Sequence, residues 1–134
     1  MYILIIGCGK TGSYLANLLS KEEENVVVID KDATSFEELS AEFTGFTVEG
    51  DATEIEVLKD AKLAKADSVV VTTDDDNVNA MIAQIASELY QVPKVLVRVL
   101  DPQKEVIYKE LDVITMTPTS LLVDKFKDKI VRSV

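Results

Sequence analysis

The sequence predicts a single α/β domain built on a doubly wound parallel sheet, and three observations predict it. Short runs rich in Val and Ile alternate with longer segments of helical period. The runs are rich in β-branched residues and read as strands covered on both faces. The first run passes directly into Gly7-Cys8-Gly9-Lys10-Thr11-Gly12, glycine-rich turn chemistry suited to a strand-to-helix junction. At 134 residues the chain has the size of one domain, with no room for a second catalytic one. Right-handed crossovers between such strands give a Rossmann-type sheet of expected order 3-2-1-4-5-6, with its switch point between the first and fourth strands.

In chain order the strands are expected at Tyr2–Ile6, Asn25–Asp30, Phe46–Glu49, Ser68–Thr72, Lys94–Val99 and Val113–Met116. Helices are expected at Lys10–Lys21, Ser35–Glu42, Glu54–Ala61, Asp75–Tyr90 and Gln103–Glu110, with a last one from Thr119 to Val131. Start signals accompany most of them. Thr34 or Ser35 precedes Glu37 and Glu38, Thr53 precedes Glu56, and Asp101 precedes Pro102, a residue suited to a first helical turn. Residues 1–118 are therefore read as the sheet domain and residues 119–134 as an interface helix.

Composition excludes several function classes. A formal net charge of −10 repels a phosphate backbone, so no nucleic-acid partner is expected. One cysteine and no histidine exclude an internal disulfide and a His/Cys zinc site, which suits a reducing, cytoplasmic compartment. Residues 1–6 are apolar but lack a basic leader, and no apolar run approaches the ~20 residues of a membrane span. Any membrane connection is expected to pass through a partner.

The glycine turn carries the chemistry. Gly7 permits the tight bend, Gly9 lets the backbone approach a pyrophosphate, and Gly12 lets the helix pack on the sheet. Amides at the helix start would then meet phosphates. Alone this motif is weak, but the second strand ends in Asp30 at the expected ~20-residue interval. Asp30 would accept hydrogen bonds from both adenosine ribose hydroxyls and repel a 2′-phosphate, which favours NAD(H), ADP or ATP and disfavours NADP. Lys31 follows it and is counted with the site. Lys10 and Thr11 are placed to neutralise or donate to phosphate, although a surface lysine in a first helical turn is an almost equal reading. The loop lacks the spacer and closing Gly-Lys-Ser/Thr of a P-loop, and Cys8 reads as a small buried filler because no histidine exists to activate it.

Other segments have two readings each. Asp51, in Gly50-Asp51-Ala52-Thr53, either reaches an adenine edge or caps the next helix. Asp74, Asp75 and Asp76 follow Thr72 and Thr73 at the carboxyl edge of the sheet; helix capping is favoured over a divalent cation, and no metal site is expected. Thr72 and Thr73 would border the nucleotide. Arg98 interrupts an apolar strand and is expected either to contact phosphate or a neighbouring subunit, or to pair with Asp101 or Glu105. Tyr90 and Lys94 have the spacing of a short-chain dehydrogenase pair, but Pro93 ends the helix between them. The last helix spreads Leu122, Val123, Phe126, Ile130, Val131 and Val134 over a broad arc, with Lys125, Lys127, Lys129 and Arg132 on the remaining positions. That arc points to a protein interface ahead of core packing.

Taken together, Ile5 to Gly12, Val28-Ile29-Asp30, Gly50 to Thr53, Val71 to Asn79, Val97-Arg98 and Thr117-Pro118-Thr119 resemble the RCK/KTN (TrkA-N) family of cytosolic regulators of potassium transporters and channels. The resemblance covers nearly the whole chain. It implies that Gly7, Gly9, Lys10, Thr11 and Gly12 hold phosphates, Asp30 the ribose, Asp51 and Ala52 the adenine, Thr72 to Asp74 the far side of the site, and Arg98 phosphate. It also implies that the last helix crosses over to a neighbouring subunit in a homodimer or higher oligomer. Lys10 stands where the family often has arginine, and the chain ends where a linker to a smaller ligand-binding subdomain usually begins. The expectation is a non-enzymatic nucleotide sensor at the inner face of the membrane, acting on an integral-membrane potassium transporter or channel. A small NAD-dependent oxidoreductase is the alternative, without a histidine or a substrate domain to supply its acid or base. A binding module for S-adenosylmethionine or AMP is a third.

Overall fold

The computed structural model describes residues 1–132. Six parallel strands, β1 (Tyr2–Ile6), β2 (Asn25–Asp30), β3 (Phe46–Glu49), β4 (Ser68–Val71), β5 (Lys94–Arg98) and β6 (Ile114–Met116), form one sheet of order β3-β2-β1-β4-β5-β6. This is the expected order. β1 lies at its centre, with Ile6 opposite Ile29 of β2 on one side and Val71 of β4 on the other. The Val- and Ile-rich runs of the central strands are largely buried because both faces of the sheet are covered there, whereas the edge strands β3 and β6 contain no buried residue, contrary to the expectation for them. Leu4, Ile6, Ile29, Val69 and Val71 pack on one face, and Ile3, Ile5, Val26 and Val28 on the other.

The helices are α1 (Lys10–Lys21), α2 (Ile55–Asp60), α3 (Asp76–Gln84) and α4 (Pro118–Val131). Several expected boundaries move. β4 and β5 each stop one residue early, although Thr72 still donates to the Ile6 carbonyl at 2.8 Å and Val99 to that of Met116 at 2.9 Å. The expected helix Ser35–Glu42 is instead a short 3₁₀ segment, Ala33–Glu38, whose first turn is capped by Asp32. It cannot continue, because α1 side chains take the next amides: Ser40 donates to Asn17 Oδ1 at 2.8 Å and Thr44 to Ser20 Oγ at 3.1 Å. Gln103–Glu110 is likewise a 3₁₀ segment, Pro102–Tyr108, with Asp101 at its cap and Pro102 in the first turn as expected. Thr53 does not start α2; Glu54 occupies the cap position.

The segment expected as one helix from Asp75 to Tyr90 changes pitch. α3 runs into a π turn, Ile85–Leu89, in which Tyr90 donates back to the Ile85 carbonyl at 3.1 Å. Gln91 then adopts a left-handed φ of 50°, so Tyr90 and Lys94 share no helical face, in keeping with the proline between them. None of the α4 residues is buried, which rules out core packing of this helix within the chain. Val134 of the expected arc lies outside the described residues. Among the described residues no helix is long and apolar enough to cross a membrane.

Candidate functional site

The carboxyl ends of β1, β2 and β4 meet at the switch point, and the glycine turn is fitted to them by contact distance. Gly7 has a φ of 104°, and a Cβ on it would lie 2.8 Å from the Thr72 carbonyl oxygen. A Cβ on Gly12 would lie 1.9 Å from the Gly7 carbonyl oxygen. Both are thus required by the packing of turn, helix and β4 tip. Gly9 differs: a Cβ there meets no atom within 4 Å, so the space in front of it is open. Gly9 is also the cap residue of α1, with no side chain capping the helix. The amides of Lys10, Thr11 and Gly12 have no acceptor among the described residues. Such uncapped N–H groups carry the positive end of the helix dipole and attract anions.

Asp30, at the tip of β2, faces this turn. Its Oδ2 accepts from the Cys8 amide at 2.8 Å and its Oδ1 from the Asp32 amide at 2.9 Å. A carboxylate oxygen accepts more than one hydrogen bond, so each retains capacity toward the cleft. Asp51 is held differently. Its Oδ1 accepts from the Thr53 hydroxyl and amide at 2.7 and 2.9 Å, and these bonds, the hydroxyl foremost, hold its carboxyl below the usual range. It caps the turn at 51–54 and not α2, a correction to the capping alternative.

On the β4 side, the three successive acids diverge. Asp75 caps α3 through the amides of Asn77 and Val78. Asp76 is buried and accepts from the amides of Leu100 and Asp101 at 2.7 and 2.9 Å, which ties α3 to the end of β5. Asp74 is exposed and pairs with Arg98 at 3.4 Å. Arg98 therefore pairs with neither Asp101 nor Glu105, as one alternative expected. Its Nη2 donates to the Thr72 and Thr73 carbonyls at 2.8 and 3.0 Å, and its Nη1 to Thr11 Oγ1 at 3.2 Å. One guanidinium thus binds the β4 tip to the first turn of α1. The parallel pairing of β4 with β5 puts Arg98 one residue past the Val71–Val97 pair, within reach of that tip.

These elements enclose a cleft of about 580 Å³. Of the expected residues, Gly7, Gly9, Asp30, Lys31, Asp51, Ala52, Thr72, Thr73 and Asp74 line it; Cys8, Lys10, Thr11, Gly12 and Arg98 do not. Cys8 is buried behind the turn, its Sγ 3.4 Å from the Ser35 carbonyl. Burial, with Asp30 and Glu38 nearby, pushes its thiol up to about 11, so it is inert filler. Asp32, Ser35, Asp75 and Val78 also line the cleft; the sequence assigned none of them to a nucleotide, reading Ser35 as a helix start and Asp75 as a cap ahead of a cation ligand. Nor did it single out the wholly buried Asn79. Its Oδ1 accepts from the amide and hydroxyl of Thr73, and its Nδ2 donates to the carbonyls of Thr73 and Arg98, both at 3.1 Å. Its place at the end of the Val71–Asn79 stretch that carries the family resemblance is the signal that could have marked it.

A parallel sheet of this order, with a glycine turn and a strand-tip carboxylate at its switch point, defines a Rossmann-type domain. The chain belongs to the TrkA-N domain family, which matches it over residues 3–117. It is 32% identical over 133 residues to a Trk system potassium uptake protein TrkA of Streptomyces coelicolor, an alignment covering 99% of this chain and 60% of that protein. The chain therefore spans about three-fifths of that relative's length. Among solved structures, the NAD(P)-binding domain of an exopolyphosphatase-related protein from Archaeoglobus fulgidus superposes with a TM-score of 0.77 at 25% identity, covering 96% of each chain. The GsuK channel bound to NAD gives a TM-score of 0.77 at 23% identity, covering 95% of this chain and 22% of that one; this likeness is one of fold.

Proposed function

We propose that this chain is the nucleotide-binding regulatory module of a potassium uptake system, acting without catalysis on an integral-membrane transporter or channel from its cytoplasmic side. The observation that carries the reading is that one open cleft is lined both by Gly9, the cap residue behind which the first α1 amides lack acceptors, and by Asp30 at the tip of β2. Phosphates suit the amides and a ribose suits the carboxylate. NAD(H), ADP and ATP all offer that pair of groups, and Asp30 disfavours a 2′-phosphate. Gly7, Gly9 and the amides of Lys10 to Gly12 serve the phosphates, Asp30 and Lys31 the ribose side, Asp51 and Ala52 the adenine, and Thr72 to Asp74 the far end. Arg98, engaged with the β4 tip, and Thr11 act by holding the turn in place, with Cys8 and Gly12 as its packing.

Family membership and the potassium uptake relative support the transport role. In this reading residues 1–118 bind and residues 119–134 couple. Leu121, Leu122, Val123, Phe126, Ile130 and Val131 of α4 are all more than half exposed, an apolar surface suited to a second copy of the chain. Nucleotide then shifts a dimer between two arrangements by binding one more tightly. Calorimetric titration with NAD⁺, NADH, ADP, ATP and AMP tests the site: saturable binding that is lost in Asp30→Ala is expected, and silence across the whole series overturns it. Potassium uptake by cells carrying the Asp30→Ala allele tests the role, with a changed uptake rate expected and an unchanged one counting against it.

A further inference from the structure

The start of α3 has two working sides. Asp75, Val78 and Ile82 line the cleft, and their spacing puts them on one side of the helix. Asp76 and Asn79, a step round the helix, are both buried and grip the end of β5. Asp76 accepts from the amides of Leu100 and Asp101 at 2.7 and 2.9 Å, and Asn79 donates to the Arg98 carbonyl at 3.1 Å while accepting from the Thr73 amide of the cleft wall at 3.1 Å. A carboxylate acceptor makes the first two bonds strong ones.

The end of β5 is joined in turn to α4. Asp101 caps the 102–108 segment through the Gln103 amide at 3.0 Å, and Tyr108 of that segment is buried in the core cluster that holds Ile82 and Ala83 of α3. Glu105 accepts the hydroxyl of the buried Thr117, which is the cap residue of α4. Beyond Thr117 the bonds of the helix turn inward: among the described residues Leu121 donates to the Thr117 carbonyl, and Arg132 pairs with Asp128. No α4 residue is buried. The helix is therefore held at its first end and free of the sheet along its length.

We propose that the first turn of α3 transmits the state of the cleft to α4, with Asp76, Asp101, Glu105 and Thr117 as the positioning residues through which a ligand against Asp75 and Val78 resets how the last helix is held. This rests on the nucleotide-binding reading above. None of the four lines the cleft, so they act without touching the ligand. A chain of hydrogen bonds couples its ends because a shift at one member strands the next without a partner, which costs more than moving it.

The test is hydrogen exchange read by mass spectrometry on the full chain with and without saturating NAD⁺, beside calorimetric titration of the same samples. Amides from Leu121 to Phe126 are expected to change their exchange rate by at least about threefold when NAD⁺ binds. Thr117→Val keeps the shape of the side chain and removes its hydroxyl; Glu105→Ala removes the acceptor at an exposed position, so it serves even if the first variant does not fold. Both are expected to bind NAD⁺ and to lose most of the α4 response, while exchange in the glycine turn still answers to the ligand. A purely structural role would shift α4 exchange equally in both states and leave the difference intact; that result, or an α4 indifferent to bound NAD⁺ in the parent chain, overturns the relay. Absence of binding to the parent chain would instead strike the nucleotide reading first, and the relay with it.

Discussion

The Asp30 carboxylate accepts the Cys8 amide at 2.8 Å across 22 residues of sequence, so the acid at the tip of β2 also holds the glycine turn in shape. Asp30→Ala is therefore expected to act twice. Losing a charged hydrogen-bond acceptor for the ribose costs about 1.5–3 kcal/mol of affinity, roughly ten- to a hundredfold. Leaving the Cys8 amide unpaired costs about 1–3 kcal/mol of stability. Asp30→Asn retains an acceptor oxygen and should recover most of the stability but not the affinity, as titration and thermal melting on the same samples would reveal.

Two glycines of one motif are expected to fail differently. Gly12→Ala places a Cβ 1.9 Å from a backbone oxygen, and relieving that clash should cost about 3 kcal/mol or more, or prevent folding. Gly9→Ala meets nothing within 4 Å and should melt within a few degrees of the parent, yet bind nucleotide poorly because the new methyl occupies the approach to the α1 amides. Equal losses of stability in the two variants would refute the distinction.

Asn79 should matter more for stability than its polar side chain suggests. Asn79→Ala removes the acceptor of the Thr73 amide and a donor to the Arg98 carbonyl around a buried position, while the Thr73 carbonyl keeps Arg98 Nη2. A loss of about 2–4 kcal/mol is expected from urea unfolding. Asn79→Asp, which keeps the acceptor and removes the donor, should not rescue it.

The thiol of Cys8 sets an alkaline limit. Its value rises from an ordinary 9.0 to about 11, chiefly through burial. A folded state that holds a proton more tightly than the unfolded chain keeps its full advantage below 9 and loses it as the pH climbs toward 11. Cys8→Ala or Cys8→Ser should flatten that part of the stability profile. At pH 8 the native thiol should react with iodoacetamide about a hundredfold more slowly than the unfolded one, and rapid native labelling would show the thiol to be accessible.

Phe126 and Ile130 are 58% and 80% exposed on α4, which makes them the points to test for association. Phe126→Glu with Ile130→Glu is expected to convert a dimer into a monomer in light scattering, with little change in circular dichroism because neither residue belongs to the core. A wild-type chain that is monomeric with and without nucleotide would end the coupling role assigned to this helix.

Local rules carried much of this protein. The apolar runs specify β1 to β6, the glycines at 7, 9 and 12 specify the turn, and the interval to Asp30 places a carboxylate beside it, because strand period and turn chemistry are written in neighbouring residues. Alternation of strands and crossovers was enough to order the sheet. Where local preference was weak, as at 33–44, side chains of α1 took the backbone and a helix gave way to a 3₁₀ turn.

Tertiary structure decided who meets whom. Arg98 reaches Thr11 across 87 residues and the carbonyl of Thr72 across 26, contacts that exist only once β5 lies beside β4. The same pairing engages Arg98 with the β4 tip, while the packing of the 33–38 segment beside β2 decides that Cys8 faces Ser35. Periodicity fixes which residues form an element, but the partner of a charged or polar group depends on strand register and on which side of the sheet each crossover lands, and those are properties of the assembled fold.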